Sequence, residues 1–219
     1  MSDELQNLTY APEIFQVENL EEAKSIILTP EGESSTEERW EKETPYLRDE
    51  ILKFLEPAKD TLLLDFGCGV GRMAKALIEI SGCRVIGVDI SQPMRQFAPG
   101  YVNSPHFSIC SPEVVRALID NGLQVDCAIA IWILQHCPNV EDEIAMLKSL
   151  LKPGGRLFVC NSLQAAVPTD VGWVDTGFDV KSLLAENLEE ISRERLSPDH
   201  VVPLLSATGF MGKYQKKED

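Results

Sequence analysis

Hydrophobic and polar positions change their period once along this chain. Leu47, Ile51, Phe54 and Leu55 follow the i, i+4, i+7, i+8 spacing of a single helix face. Thr44 is suited to cap that helix, Pro45 to be its first residue and Pro57 to end it. From Thr61 onward, short apolar runs alternate with helical stretches. Leu62-Leu63-Leu64 reads as a strand buried on both faces. Met73, Leu77 and Ile80 mark a helix face. Arg84 to Ile90 predicts a second strand, Phe107 to Cys110 a third, and Val114 to Leu118 a helix. Asp126 to Leu134 predicts a fourth strand. Ile144, Leu147, Leu150 and Leu151 mark a helix that Pro153-Gly154-Gly155 stops, and Arg156 to Cys160 predicts a fifth strand. Further on, Asp179 to Asn187 reads as a helix, Leu188 to Leu196 as a strand, Pro198 to Thr208 as a helix, and Met211 to Lys217 as a last edge strand.

Strands separated by helical segments imply parallel βαβ units with right-handed crossovers. The fold class expected is α/β: a Rossmann-like, seven-stranded, mostly parallel sheet with helices on both faces, plus an N-terminal helical extension. With 219 residues the chain suits one domain and an added segment. The expected division is an acidic extension over residues 1–43 and a core domain over 44–219. Residues 1–60 hold 16 acidic and 6 basic side chains, a net −10 out of the chain's −15. Such acidity reads as solvated surface and disfavours a nucleic-acid partner, because phosphate contacts need clustered Lys and Arg.

The strongest chemical signal is Asp65-Phe66-Gly67-Cys68-Gly69-Val70-Gly71, placed between a strand and a helix. Glycines there let the backbone turn tightly and approach a ligand that a Cβ would block. The second strand then delivers Asp89, 24 residues after Asp65. An acid at that place can accept both hydroxyls of an adenosine ribose. The dinucleotide pattern G-x-G-x-x-G needs a glycine at 72, where this chain has Arg72, which disfavours a nicotinamide oxidoreductase. No Gly-Lys-Ser/Thr follows, so a P-loop is excluded.

On these residues, 61–160 resemble the class I S-adenosylmethionine-dependent methyltransferases, especially their small-molecule branch. Four stretches carry the resemblance in order: Leu62–Gly71, Val85–Ser91, Val125–Ala130 and Leu151–Leu157. It implies that Gly67, Cys68 and Gly69 line the methionine part of the cofactor, with Asp65 near its amino end. Asp89 would hold the ribose and Ile90 pack on adenine. Ile131 and Trp132 would border the sulfonium. The third motif of such enzymes usually supplies an acid to adenine; here Cys110 and Ser111 stand in its place. Trp40 either closes over the methionine carboxylate or packs a helix onto the sheet.

His136, after the fourth strand, is the one candidate catalytic side chain, a base for an attacking hydroxyl or amine. Trp173, Asp175 and Phe178 lie where this fold often places substrate loops. The implied activity is methyl transfer from S-adenosylmethionine to a small molecule, or to a protein side chain. A non-catalytic cofactor-binding protein is the alternative. No metal site is expected, since the three histidines are far apart and no C-x-x-C occurs. Six unpatterned cysteines, no signal peptide and no apolar stretch of membrane length predict a cytoplasmic protein without a membrane partner.

Overall fold

The computed structural model describes residues 9–218. Five strands run parallel at its centre: β1 (Leu62–Phe66), β2 (Arg84–Val88), β3 (Phe107–Cys110), β4 (Val125–Ile131) and β5 (Leu151–Ser162). Two short strands, β6 (Val167–Thr169) and β7 (Gly172–Val174), form a separate hairpin. β8 (Glu189–Arg195) and β9 (Gly209–Gln215) complete a seven-stranded sheet in the order β3-β2-β1-β4-β5-β9-β8. β9 is antiparallel to both β5 and β8.

Alternation along the strands divides the core. Leu63, Val85, Cys127, Ile129 and Phe158 face one side, against α2 (Thr36–Leu55) and α3 (Arg72–Ser81). Leu64, Val88, Ala128, Ala130, Leu157 and Val159 face the other. There they meet α5 (Pro112–Asp120), α6 (Val140–Leu150) and α7 (Val180–Asn187). Leu47 and Ile51 of α2 are fully buried, each burial contributing ~1.5–3 kcal/mol. A third, smaller cluster joins Val17 and, within α1 (Leu20–Ile27), Ala23 to Val70 of the glycine turn and Met94 of α4 (Gln92–Val102). The N-terminal segment is thereby packed onto the end of the sheet where β1 and β2 finish. The short α8 (Pro203–Thr208) precedes β9.

Several expectations are corrected. α2 begins at Thr36, not Pro45. Ser35 and Glu38 form a reciprocal capping box, and the helix continues through Pro45. The expected boundary at 43/44 therefore falls within a helix. Ile80 is exposed, and Ala74 joins Met73 and Leu77 on the buried face of α3. β2 stops at Val88 and β4 at Ile131, where Trp132 turns to φ 58°. Pro153-Gly154-Gly155 lies inside β5, whose register against β4 shifts there. Only Pro203–Thr208 of the expected 198–208 helix is helical. β9 is not an edge: Phe210, Met211 and Tyr214 are buried, while the charged, half-exposed β8 takes the edge.

Candidate active site

A cavity of about 810 Å³ opens at the carboxyl ends of β1, β2 and β4, where a parallel sheet places its ligands. The glycine turn forms its base. Gly67, Gly69 and Gly71 have φ of 71°, 54° and 84°, so alternate residues of this turn are left-handed and glycine relieves the strain. The Gly67 and Cys68 amides both donate to the Val88 carbonyl, which leaves the turn seated against β2.

Asp89 fastens the other side. Its Oδ2 accepts the Gly69 amide at 2.7 Å and its Oδ1 accepts the Ser91 amide at 2.9 Å. Burial raises its carboxyl above the ordinary range, while these two amides and Arg95 pull it back. Each oxygen keeps a lone pair, so the same carboxylate can still accept two ligand hydroxyls. Ile90 stands beside it, 42% exposed toward the cavity, an apolar face with nothing packed on it.

Asp65 lies behind the turn. It is buried, and its Oδ2 has no hydrogen-bond partner. Burial pushes its carboxyl up to about 7, although the Ala74 amide and the Arg72 guanidinium act the other way. A buried carboxylate with an unmet oxygen favours an arriving cation. Arg72 itself is buried, donates to the Thr44 hydroxyl at 3.1 Å and lies 5.5 Å from the Trp40 ring centroid. Nearby, Arg39 and Glu43 form a buried ion pair at 2.7 Å, and Arg39 borders the cavity.

Past β4, Trp132 lines the cavity with a left-handed backbone, a conformation that costs on the order of 1–3 kcal/mol outside glycine. His136 sits in the short helical turn Leu134–His136. Its Nδ1 is 2.6 Å from the Ala166 carbonyl, which can only accept, so Nδ1 carries the proton. The Ser162 amide donates to Gln135 Oε1, which turns the Gln135 NH2 toward His136 Nε2 at 3.2 Å. Burial lowers the His136 pKa, so the ring is held neutral, with Nε2 as its acceptor.

A lid covers the outer half. Thr9–Ala11 pair with the β6–β7 hairpin through the Tyr10–Thr169 bridge and the Ala11 amide on the Pro168 carbonyl at 3.0 Å. This unit brings Tyr10, Ile14, Phe15 and Trp173 to the cavity. None of the first three had been expected at the site. Their signal is long-range pairing, which no local pattern discloses.

Of the residues expected around a cofactor, Gly67, Gly69, Asp89, Ile90, Ile131 and Trp132 border this one cavity, as does His136. Trp40 does not; its ring packs edge-on to Tyr101, 6.1 Å away. The Cys68 thiol is buried, and its Sγ points back to the Gly69 carbonyl at 3.5 Å. Cys110 and Ser111 lie short of the cavity, and Pro112 and Glu113 reach it instead. Phe178 packs into the core, and Asp175 accepts the Gly177 amide in its own turn. No cluster of three metal-ligating side chains occurs among the described residues.

Sheet order and cavity together define a Rossmann-like protein of the class I methyltransferase architecture. The methyltransferase domain family matches residues 39–207, and the chain belongs to it. Its relatives include the mitochondrial ubiquinone biosynthesis O-methyltransferase of Rattus norvegicus. That protein is 30% identical over 128 residues, 52% of this chain and 36% of the relative. The chain spans between about a third and two thirds of the length of the curated relatives it matches. Among solved structures, the [4+2]-cyclase SpnF superposes with a TM-score of 0.62 at 16% identity, over 80% of this chain and 82% of that one. A geranyl diphosphate methyltransferase in complex with S-adenosylmethionine gives 0.60 at 16% identity, over 78% and 84%.

Proposed function

We propose that this protein binds S-adenosylmethionine and transfers its methyl group to a small-molecule acceptor. The observation that carries the reading is the convergence of Gly67, Gly69 and the Asp89 carboxylate on one cavity, with the unmet Asp65 oxygen buried directly behind that glycine turn. Asp89 has spare lone pairs for ribose hydroxyls, and Ile90 offers an apolar face to adenine. The unmet Asp65 oxygen, behind the turn, suits the amino group of the methionine part. When bound, the cofactor supplies a methyl carbon made electrophilic by its sulfonium.

The remaining work is positioning, which can supply ~7–11 kcal/mol of rate enhancement. The lid excludes water, and Ile131 and Trp132 fix the wall past β4. His136 takes the acceptor's proton at Nε2, after the acceptor hydroxyl replaces the Gln135 NH2 there. The O-methylation named in the relatives supports an oxygen acceptor. Six cysteines without a disulfide support a reducing, cytoplasmic setting, and no described helix is long and apolar enough to cross a membrane.

The same fold serves a [4+2]-cyclase, so the test must read the reaction as well as binding. Calorimetry with S-adenosylhomocysteine and with NAD comes first, followed by a methyl-transfer screen over metabolite pools that detects S-adenosylhomocysteine. Binding of the former and not of NAD, with turnover in the screen, is the expected result. A folded protein that binds neither would end the proposal.

A further inference from the structure

We infer that the lid and His136 together form an acceptor slot for a flat, ring-bearing molecule without negative charge. The inference rests on the methyltransferase reading and adds to it the substrate class. Phe15, Trp173 and His136 pack as three rings around one corner of the cavity. Their centroids are 5.2 Å apart for His136–Trp173, 6.1 Å for Phe15–His136 and 6.3 Å for Phe15–Trp173. All three planes are inclined, at 53° to 72°, and the rings touch one another, so together they present edges and faces to the cavity as one wall. Aromatic ligands gain from offset or edge-to-face contact with such walls.

Two further observations point the same way. Trp173 is 51% exposed and Ile14 44% exposed although both border the cavity, so the slot has apolar surface not yet covered by the protein. The cations around it are already matched, while Glu31 and Glu113 of the lining form no ion pair among the described residues. The two cavity arginines are both in ion pairs, Arg39 with Glu43 and Arg116 with Glu143, each at 2.7 Å. No free cation among the described cavity residues is left to hold an acidic acceptor. His136, the one titratable ring in the trio, is held neutral by burial, and its Nε2 faces a group that donates. A hydroxyl carried on a flat ring fits both features.

The test uses the full chain in saturating S-adenosylhomocysteine and calorimetric titration with three probes. These are 2-naphthol, its saturated counterpart decahydro-2-naphthol, and 2-naphthoate. The expected result is 2-naphthol binding about tenfold or more tightly than the saturated alcohol, as aromatic contacts of this kind supply. Trp173→Ala should abolish that preference and Trp173→Phe should keep most of it, with S-adenosylhomocysteine affinity unchanged in both. If Trp173→Ala does not fold, Phe15→Leu reads the same wall at its neighbouring ring. Equal binding of the two alcohols, tighter binding of 2-naphthoate than of 2-naphthol, or a preference that survives in a folded Trp173→Ala chain would overturn the slot. Failure of S-adenosylhomocysteine to bind would end the cofactor reading alone. The two alcohols are then compared on the free chain, where the slot stands or falls by the same preference.

Discussion

The Gly69 amide donates to Asp89 Oδ2 across 2.7 Å, so the turn after β1 and the acid after β2 are one unit. Asp89 therefore has two duties, shaping the turn and receiving the ribose. Asp89→Ala removes two charge-assisted hydrogen bonds from the protein, and those to the ligand, each worth ~1.5–3 kcal/mol. We expect S-adenosylhomocysteine affinity to fall by tenfold or more and the melting temperature to fall as well. Asp89→Asn keeps the shape and one acceptor, and should lose affinity with a smaller loss of stability. Calorimetry alongside thermal melts checks both, and unchanged affinity in Asp89→Ala would remove it from the site.

Asp65 should make stability depend on pH. Its folded carboxyl stands at about 7, above the ordinary ~3.9 of an unfolded aspartate, so the folded state holds the proton more tightly. Its contribution is then fully present below about pH 4 and lost as pH rises through about 7. A bound ammonium group favours the ionised form and offsets that loss. The rise in melting temperature caused by S-adenosylhomocysteine should consequently be larger at pH 8 than at pH 6. Asp65→Asn should flatten the difference. A ligand-induced shift independent of pH in the parent chain would show that no cation reaches Asp65.

How far the sequence disclosed this depended on the distance over which each signal acts. The strands and the glycine turn rest on local periodicity and on three glycines whose backbone is in fact left-handed, so both were legible. Asp89 was legible because a βαβ unit fixes where the second strand ends. The start of α2 was misread because Pro45 resembles an N-terminal proline. The overlooked signal was Ser35-x-x-Glu38, which satisfies the real helix start. Of the lid only Trp173 was legible, and the pairing that assembles it was not. The bond from the Thr9 amide to Asp170 spans 161 residues, and no window along the chain contains both partners.

Gly69 separates turn from ligand. A Cβ there would stand 2.5 Å from Ile27 Cδ1, at a φ of 54°. The tip of an isoleucine moves readily, so the left-handed backbone should dominate the cost, ~1–2 kcal/mol. For a chain of this size that lowers the melting temperature by roughly 2–8 °C in Gly69→Ala. If the contact with α1 caused the loss of affinity, Gly69→Ala with Ile27→Ala would restore it. We expect no restoration, because the added carbon occupies the place of the methionine part. Recovered binding of S-adenosylhomocysteine in the double variant would assign Gly69 to packing against α1 instead.

His136 joins the body of the protein to the lid, and acid should loosen that joint. Nδ1–H holds the Ala166 carbonyl, and Nε2 accepts from Gln135. Burial lowers the folded pKa below the ordinary 6.5, so the folded state binds the proton less well than the unfolded chain does. The stabilisation is complete above about pH 6.5 and is lost as pH falls below it, the opposite sense to Asp65. Protonation also sets an Nε2–H against the Gln135 NH2, two donors with no acceptor between them. Amide exchange in the β6–β7 hairpin, corrected for intrinsic rate, should therefore rise on acidification while the amides of β1 and β4 stay protected. His136→Asn should remove this pH dependence. It should also lower kcat for methyl transfer while leaving S-adenosylhomocysteine affinity within about twofold, because the ring lies on the acceptor side. The depressed pKa should carry the acid limb of the parent's kcat–pH profile below 6.5. A His136→Asn chain with unchanged kcat would reduce this residue to a fastening for the lid, and a hairpin whose exchange ignores pH would remove that role too.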